Sequence, residues 1–282
     1  MANILVADSG STKTHWVLVE GEKKYDPFIT TGINPFYQDT ESIVKTIRPI
    51  LEQQVPVYPD HIFFYGAGCG NQKQEIVINA LKQVFPASQI FVGSDLLGAA
   101  RSLCQNNSGI ACILGTGSNS CYYDGKDIVS HVSPLGYILG DEGSGAVIGK
   151  KLVSDILKNQ LPEKVSQLFF ENYKVDVNSI LDSAYKQPFP NRYFAQFTRF
   201  ISENIQIPEL ENIVLESFDD FITRNVLQYE QIRSTEINFT GSIAYYFKRQ
   251  LIMSLNKFGL NPSVITKAPL ENLIEYHNKN LK

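Results

Sequence analysis

Val6-Ala7-Asp8-Ser9-Gly10-Ser11-Thr12-Lys13 and Ile113-Leu114-Gly115-Thr116-Gly117-Ser118-Asn119-Ser120 decide how this chain reads. In each, an apolar strand (Ile4 to Ala7, Ile110 to Leu114) runs through a Gly-Ser-rich turn into a second strand (His15 to Val19, Ser120 to Tyr123). Gly21-Glu22-Lys23 follows the first copy and Gly125-Lys126-Asp127 the second, each a hairpin turn signal. Two such units roughly a hundred residues apart point to an internal duplication. Facing turns of this kind could hold the phosphates of a nucleotide.

Outward from these turns, the first 108 residues alternate strand and helix. Strands are expected near 3 to 8, 14 to 20 and 24 to 30. An amphipathic helix carrying Ile43, Ile47, Ile50 and Leu51 comes next, and then a strand at Ile62 to Tyr65. A helix with Ile76, Val77, Ala80, Leu81 and Val84, a strand at Ile90 to Val92 and a helix from Ser94 to about Cys104 complete a mixed sheet with crossovers. The turn cluster Asn106 to Gly109 is a hinge candidate, after which the pattern restarts. Residues 143 to 231 carry a helical insertion broken by Pro162, Pro188, Pro190 and Pro208. A strand at Thr235 to Thr240 meets Gly241-Ser242 and a helix from Ile243 to Phe258, a third strand-glycine-helix junction.

A chain of 282 residues holds two domains, each with a full core. Net charge of -4 without clustered Lys and Arg argues against a nucleic-acid surface, so an anionic ligand must be held by local backbone groups. No apolar run reaches membrane-spanning length and the start of the chain lacks a basic leader, so a soluble cytoplasmic protein without membrane partners is expected. Cys69, Cys104, Cys112 and Cys121 form no Cys-x-x-Cys pair and read as buried free thiols. The four histidines show no zinc-ligand spacing.

Several positions could carry chemistry. Asp8 ends a strand, where a carboxylate can hold Mg²⁺, and the amides and hydroxyls of Ser9, Gly10, Ser11, Thr12 and Lys13 can cradle phosphate oxygens. Alone, that turn reads better as an ordinary hairpin. Gly115, Thr116 and Gly117 repeat the chemistry, with glycines for close approach and one hydroxyl. Gly241 and Ser242 open a helix, whose free amides suit a phosphate, a ribose or simply a cap. Asp95, where a strand meets a helix followed by Gly98-Ala99-Ala100, is either a general base or an acid favoured by the helix dipole. Gly136 to Gly145 is the most glycine-dense window, and in it Asp141 suits sugar hydroxyls or Mg²⁺ while Glu142 suits capping. Asn34, with donor and acceptor, and Phe36, with an apolar face, suit a polar ring bearing an amide.

Taken together and in order, these motifs resemble the actin-like ATPase superfamily. Within it they resemble the N-acetylglucosamine kinase family, grouped with the activator ATPases of benzoyl-CoA reductase and 2-hydroxyacyl-CoA dehydratase. Asp8 to Lys13 matches the first phosphate motif, Gly115 to Ser118 the second, and Gly241 to Ala244 the adenosine motif. The resemblance implies an α/β protein of two actin-like (ribonuclease H-like) domains with mixed five-stranded sheets flanked by helices and an ATP cleft between them. It implies an N-terminal domain of residues 1–108 plus about 268–282 and a C-terminal domain of 109–267 with the helical insertion. It also implies an ATP- and Mg²⁺-dependent kinase acting on the 6-hydroxyl of an amino sugar, N-acetylglucosamine first among them, and a homodimer. Asp95 would then be the catalytic base, Asn34, Phe36, Gly136, Tyr137 and Asp141 would hold the sugar, Thr116 would meet the γ-phosphate and Ala244 would belong to the adenosine site.

Three departures stand out. Ser9 and Ser11 replace glycines common in the first motif, Phe36 stands where mammalian-type enzymes carry tryptophan, and the chain is shorter than those enzymes. Two other readings remain at this stage. An activator ATPase needs exposed cysteines at a subunit interface to hold an iron-sulfur cluster, and a non-catalytic sugar sensor needs none of Asp8, Asp95 and Asp141.

Overall fold

The computed structural model describes residues 2–10, 12–70 and 73–281. Two compact units emerge, one of Met1–Asn107, Gly125–Ile128 and Pro269–Lys282, the other of Ser108–Asp124 and Val129–Ala268.

In the first unit β1 (Asn3–Ser9) and β2 (Lys13–Glu20) form the expected hairpin, followed by β3 (Lys23–Lys24), β4 (Phe28–Thr31), α1 (Thr40–Gln54), β5 (His61–Gly66), α2 (Gln74–Val84), β6 (Gln89–Ser94) and α3 (Asp95–Cys104). The strand order is β3-β2-β1-β5-β6, with β1, β5 and β6 parallel and β1 antiparallel to β2. A single strand is expected at 24 to 30, but it comes in two pieces. Lys24 pairs with Val19 and Phe28 with Trp16, so β3 and β4 share one edge of β2 on either side of Pro27, which has no N–H to give the ladder. Six strands therefore fill five positions.

From Ile4 to Ala7 strand β1 is continuously apolar because it is covered on both faces. Leu5 and Ala7 pack with Trp16, Leu18 and Phe64 against Ile43, Ile47 and Leu51 of α1 and Val77, Ala80 and Leu81 of α2. Val44 is buried on α1 where Ile50 was expected, and Ile50 is half-buried. On the other face Ile4 and Val6 join Val17, Val19 and Tyr65 against Leu270, Leu273 and Ile274. Each fully buried side chain of this size contributes about 1.5–3 kcal/mol of transfer free energy.

The second unit repeats the hairpin with β7 (Gly109–Leu114), β8 (Ser118–Tyr123) and β9 (Ile128–Val132). Helix α4 (Gly136–Leu139) precedes the insertion, which is made of α5 (Gly145–Leu157), α6 (Glu163–Tyr173), α7 (Val177–Tyr185), α8 (Pro190–Ala195), α9 (Thr198–Glu203) and α10 (Pro208–Arg224). The prolines punctuate it from helix starts. Pro190 and Pro208 lie in first turns and Pro162 caps α6, positions where a missing N–H costs nothing. Next come β10 (Ile237–Thr240), α11 (Ser242–Tyr246), α12 (Lys248–Lys257), β11 (Pro262–Thr266) and α13 (Leu270–Asn280), the last packing on α3 and β1 within the first unit. The sheet order is β11-β10-β7-β8-β9, with β10 parallel to both neighbours. Strand β11 opens on a proline at the sheet edge and lacks alternation, so its pattern gives no strand signal. The helix expected over 243 to 258 breaks at Phe247, whose ring is buried in the core cluster of this unit.

Among the described residues no helix is long and apolar enough to cross a membrane.

Candidate active site

In the first unit the carboxyl ends of three parallel strands stop side by side. Ser9 is registered with Gly66, and Gly66 with Ser94. Ligands of open α/β sheets bind at such an edge. Asp8 shares the sheet face of Ile4 and Val6, the face that α13 covers, and Asp95 begins α3 just beyond β6. Ser94 caps α3 by accepting the N–H of Leu97 at 3.1 Å, and Asp95 Oδ1 accepts that of Leu96 at 2.9 Å. Helix α3 comes close because of Gly98, where a Cβ would stand 2.8 Å from the Tyr65 side chain. Burial, reinforced by the negative charge of Asp95, pushes the Asp8 carboxyl up to about 7.

The turn after β1 is laced to the Asn34 turn. The Ser9 hydroxyl is fully buried, lies 2.8 Å from Thr14 Oγ1, and accepts the N–H of Ile33 at 3.0 Å. Gly32 donates to the Thr12 carbonyl at 2.9 Å. The side chain of Ser9 is thus spent on structure, while Gly10, Thr12 and Lys13 are exposed; Ser11 lies outside the described residues. Asn34 Oδ1 accepts the Phe36 N–H at 3.0 Å, which leaves the amide NH₂ as its donor toward a ligand. Gly68, at φ +78°, lets this turn press against the loop after β5, since a Cβ there would meet Asn34 Oδ1 at 2.5 Å. Phe36 is exposed, with Lys73 Nζ 5.0 Å from its ring centroid.

In the second unit Leu114 pairs with Ser118, so Gly115, Thr116 and Gly117 alone make the turn, and Ser118 and Asn119 belong to β8. The amino terminus of α5 donates into it, Gly145 N to Gly115 O at 2.8 Å and Ala146 N to Thr116 O at 3.0 Å. Gly115 N is taken by Gly117 O at 2.9 Å. The N–H groups of Thr116 and Gly117 are left without a protein partner among the described residues. Two amides and the Thr116 hydroxyl therefore remain for an anion.

The Gly136 to Gly145 window folds onto this same turn. Leu135 and Asp141 both adopt left-handed backbone, φ +58° and +53°, strain of a kind that persists where surrounding structure enforces it. Asp141 N donates to Pro134 O at 2.8 Å, and Asp141 Oδ1 accepts the Ser118 N–H at 3.2 Å. Burial raises the Asp141 carboxyl above the usual carboxylate range, opposed by that N–H, raised further by Glu142 and lowered by Lys150. Glu142 does not cap a helix. It pairs with Arg224 at 2.8 Å and Asn225 at 3.3 Å, fastening the loop to the end of α10. Lys150 carries no local sequence signal, yet its Nζ holds the Tyr137 carbonyl at 2.8 Å. Gly136 is exposed.

At the third junction Gly241, at φ +118°, approaches β7 so closely that a Cβ would stand 2.2 Å from the Leu114 carbonyl oxygen. The carboxyl ends of β7 and β10 thereby meet. Ser242 is exposed, whereas Ala244 is fully buried in the core and offers no side-chain surface to a ligand.

The donor chemistry of the first unit fits a hard cation. Two carboxylates share one sheet edge and one is driven toward protonation, a strain that a cation relieves; Mg²⁺ takes one or two carboxylates together with substrate phosphates. Among the described residues no group of three or more His, Cys, Asp or Glu forms a metal cage. All four cysteines are buried, so none presents a thiolate at a surface where a subunit-bridging cluster could form.

Two sheet units, each with a glycine-serine turn at the carboxyl edge of parallel strands, define the actin-like sugar-kinase fold. No protein-family model and no curated protein sequence matches the chain. Among solved structures it matches the putative N-acetylglucosamine kinase from Porphyromonas gingivalis with a TM-score of 0.96 and 43% identity, over 99% of this chain and 100% of that one. A putative N-acetylglucosamine kinase from Chromobacterium violaceum matches with a TM-score of 0.77 at 14% identity, over 98% and 99% of the two chains. A ROK family glucokinase from Streptomyces griseus, solved with glucose and AMPPNP, matches with a TM-score of 0.59 at 12% identity, over 98% of each chain. The last two share the fold alone. The chain belongs to the N-acetylglucosamine kinase family of the Porphyromonas gingivalis protein.

Proposed function

We propose that this protein transfers the γ-phosphoryl group of ATP to the 6-hydroxyl of an amino sugar, N-acetylglucosamine being the first candidate. The observation that carries the reading is 43% identity over essentially the full length of both chains to the Porphyromonas gingivalis protein. Asp95 is the proposed base: its carboxylate takes the proton of the attacking hydroxyl. Asp8 would hold Mg²⁺, which would supply positive charge to offset that of the transferring phosphate. The backbone of Ser9, with Gly10, Ser11, Thr12 and Lys13, and the amides of Thr116 and Gly117 stabilise phosphate charge without reorganising during the step. Gly115, Gly241, Ser242 and Ala244 shape the nucleotide site through backbone. Asn34, Phe36, Gly136, Tyr137 and Asp141 receive the sugar. A homodimer, on the family resemblance, and a cytoplasmic location complete the proposal.

The buried cysteines count against an activator ATPase. A coupled ADP-release assay over N-acetylglucosamine, glucosamine, N-acetylmuramate, N-acetylmannosamine and glucose tests the proposal. Turnover is expected with an N-acetylated sugar; no sugar raising ADP release above the background without sugar would overturn it.

A further inference from the structure

The second phosphate turn is held from an unexpected direction. Its two carbonyls at Gly115 and Thr116 are fixed by α5, but its exit into β8 is fixed by a side chain 23 residues away, the Asp141 carboxylate on the Ser118 N–H. The carboxylate also lies flat against the turn: a Cβ on Gly117 would meet Oδ2 at 3.2 Å and Oδ1 at 3.3 Å. Asp141 is 9% exposed, and its left-handed backbone is pinned by the Pro134 carbonyl. Among the described residues the Ser118 N–H is its one protein hydrogen-bond donor, and it is taken by Oδ1, so Oδ2 remains for a second donor.

We infer that Asp141 is a positioning residue for the nucleotide-phosphate turn and links it to the sugar-binding loop, so that sugar and nucleotide tighten each other's binding. The inference rests on the proposed kinase reading. A sugar hydroxyl donating to the open oxygen fixes the carboxylate. The fixed carboxylate holds Ser118 and Gly117, and the free N–H groups of Thr116 and Gly117 then meet phosphate already ordered. A ligand arriving at a segment that another has ordered pays less conformational entropy, and the gain is reciprocal.

The test is equilibrium binding of AMPPNP with Mg²⁺ to the full chain, with and without N-acetylglucosamine, by titration calorimetry. Asp141→Asn keeps an oxygen acceptor for Ser118 and tolerates left-handed backbone, and Asp141→Gly removes the side chain without strain at φ +53°. Asp141→Ala repeats the deletion without the added flexibility of glycine. Without sugar, the Gly and Ala variants are expected to bind AMPPNP about tenfold or more weakly than the wild type, the scale of a hydrogen bond to a charged group, while Asn stays within about threefold. In the wild type, sugar is expected to tighten AMPPNP by about fivefold or more, and in the Gly and Ala variants by none even at saturating sugar. A residue that merely touches sugar would leave sugar-free AMPPNP binding unchanged in all three, and that result overturns the inference alone. Wild-type protein that binds no AMPPNP overturns the kinase reading along with it.

Discussion

Tyr65 and His277 meet at 2.9 Å, phenol oxygen to Nε2, deep in the first unit. Tyr65 is the residue of β5 registered with Asp8, and His277 comes from the last helix of the chain. Arg101 of α3 donates to the same phenol oxygen at 2.9 Å, and the His277 ring stacks on Phe63 at 3.6 Å. The final helix is thereby bonded to the strand whose end lies beside Asp8.

This arrangement sets a pH dependence of stability. Burial, with Arg101 nearby, lowers His277 to about 3 from an ordinary value of 6.5, so the unfolded chain binds a proton that the folded chain refuses. The stability is fully present above pH 6.5 and is lost as pH falls from there toward 3. Urea unfolding at pH 7 and pH 5 is expected to differ by about 2 kcal/mol through this group. The variant His277→Gln should lose that increment of the slope; an unchanged slope would show that His277 is not neutral in the fold.

Asp95→Asn is expected to lower kcat by about a hundredfold or more, the usual contribution of a general base, while AMPPNP binding stays within a few fold. Steady-state kinetics beside nucleotide titration separate the two. Near-normal turnover would remove Asp95 from the role of base.

Ser9→Ala should weaken both the fold and the proposed sugar site. It leaves the buried Ile33 N–H without its acceptor, which costs about 1–3 kcal/mol, and loosens the turn that carries Asn34. Urea denaturation is expected to show that loss, and the KM for sugar to rise by more than kcat falls.

Gly241→Ala is expected to destabilise by about 2 kcal/mol or more, because left-handed strain adds to the 2.2 Å collision with the Leu114 carbonyl. Thermal unfolding reads the stability. Nucleotide binding by whatever remains folded should weaken as the ends of β7 and β10 are forced apart.

Much was legible because strand, turn and cap chemistry is local. The duplicated hairpins, the acid at the end of β1, the strand-helix junction at Asp95 and the breaks at Pro190 and Pro208 all stand in the structure at the expected places. Boundaries failed where neighbours outvoted local pattern: Pro27 split a strand against β2, and the buried Phe247 ring interrupted a helix. Strand β11 exists only because β10 offers it an edge.

For the site, the sequence alone determined which residue types stand at the turns, since a Gly-Ser turn after an apolar strand exposes amides whatever lies around it. Only the tertiary structure decided what each residue is free to do. It consumed the Ser9 hydroxyl, buried Ala244, turned Glu142 to Arg224, and brought Asp141 to the second turn. The first turn carries its acid in sequence, as Asp8; the second receives one through folding. Hydrogen-bond partners and desolvation depend on contacts between distant segments, and no spacing along the chain encodes them.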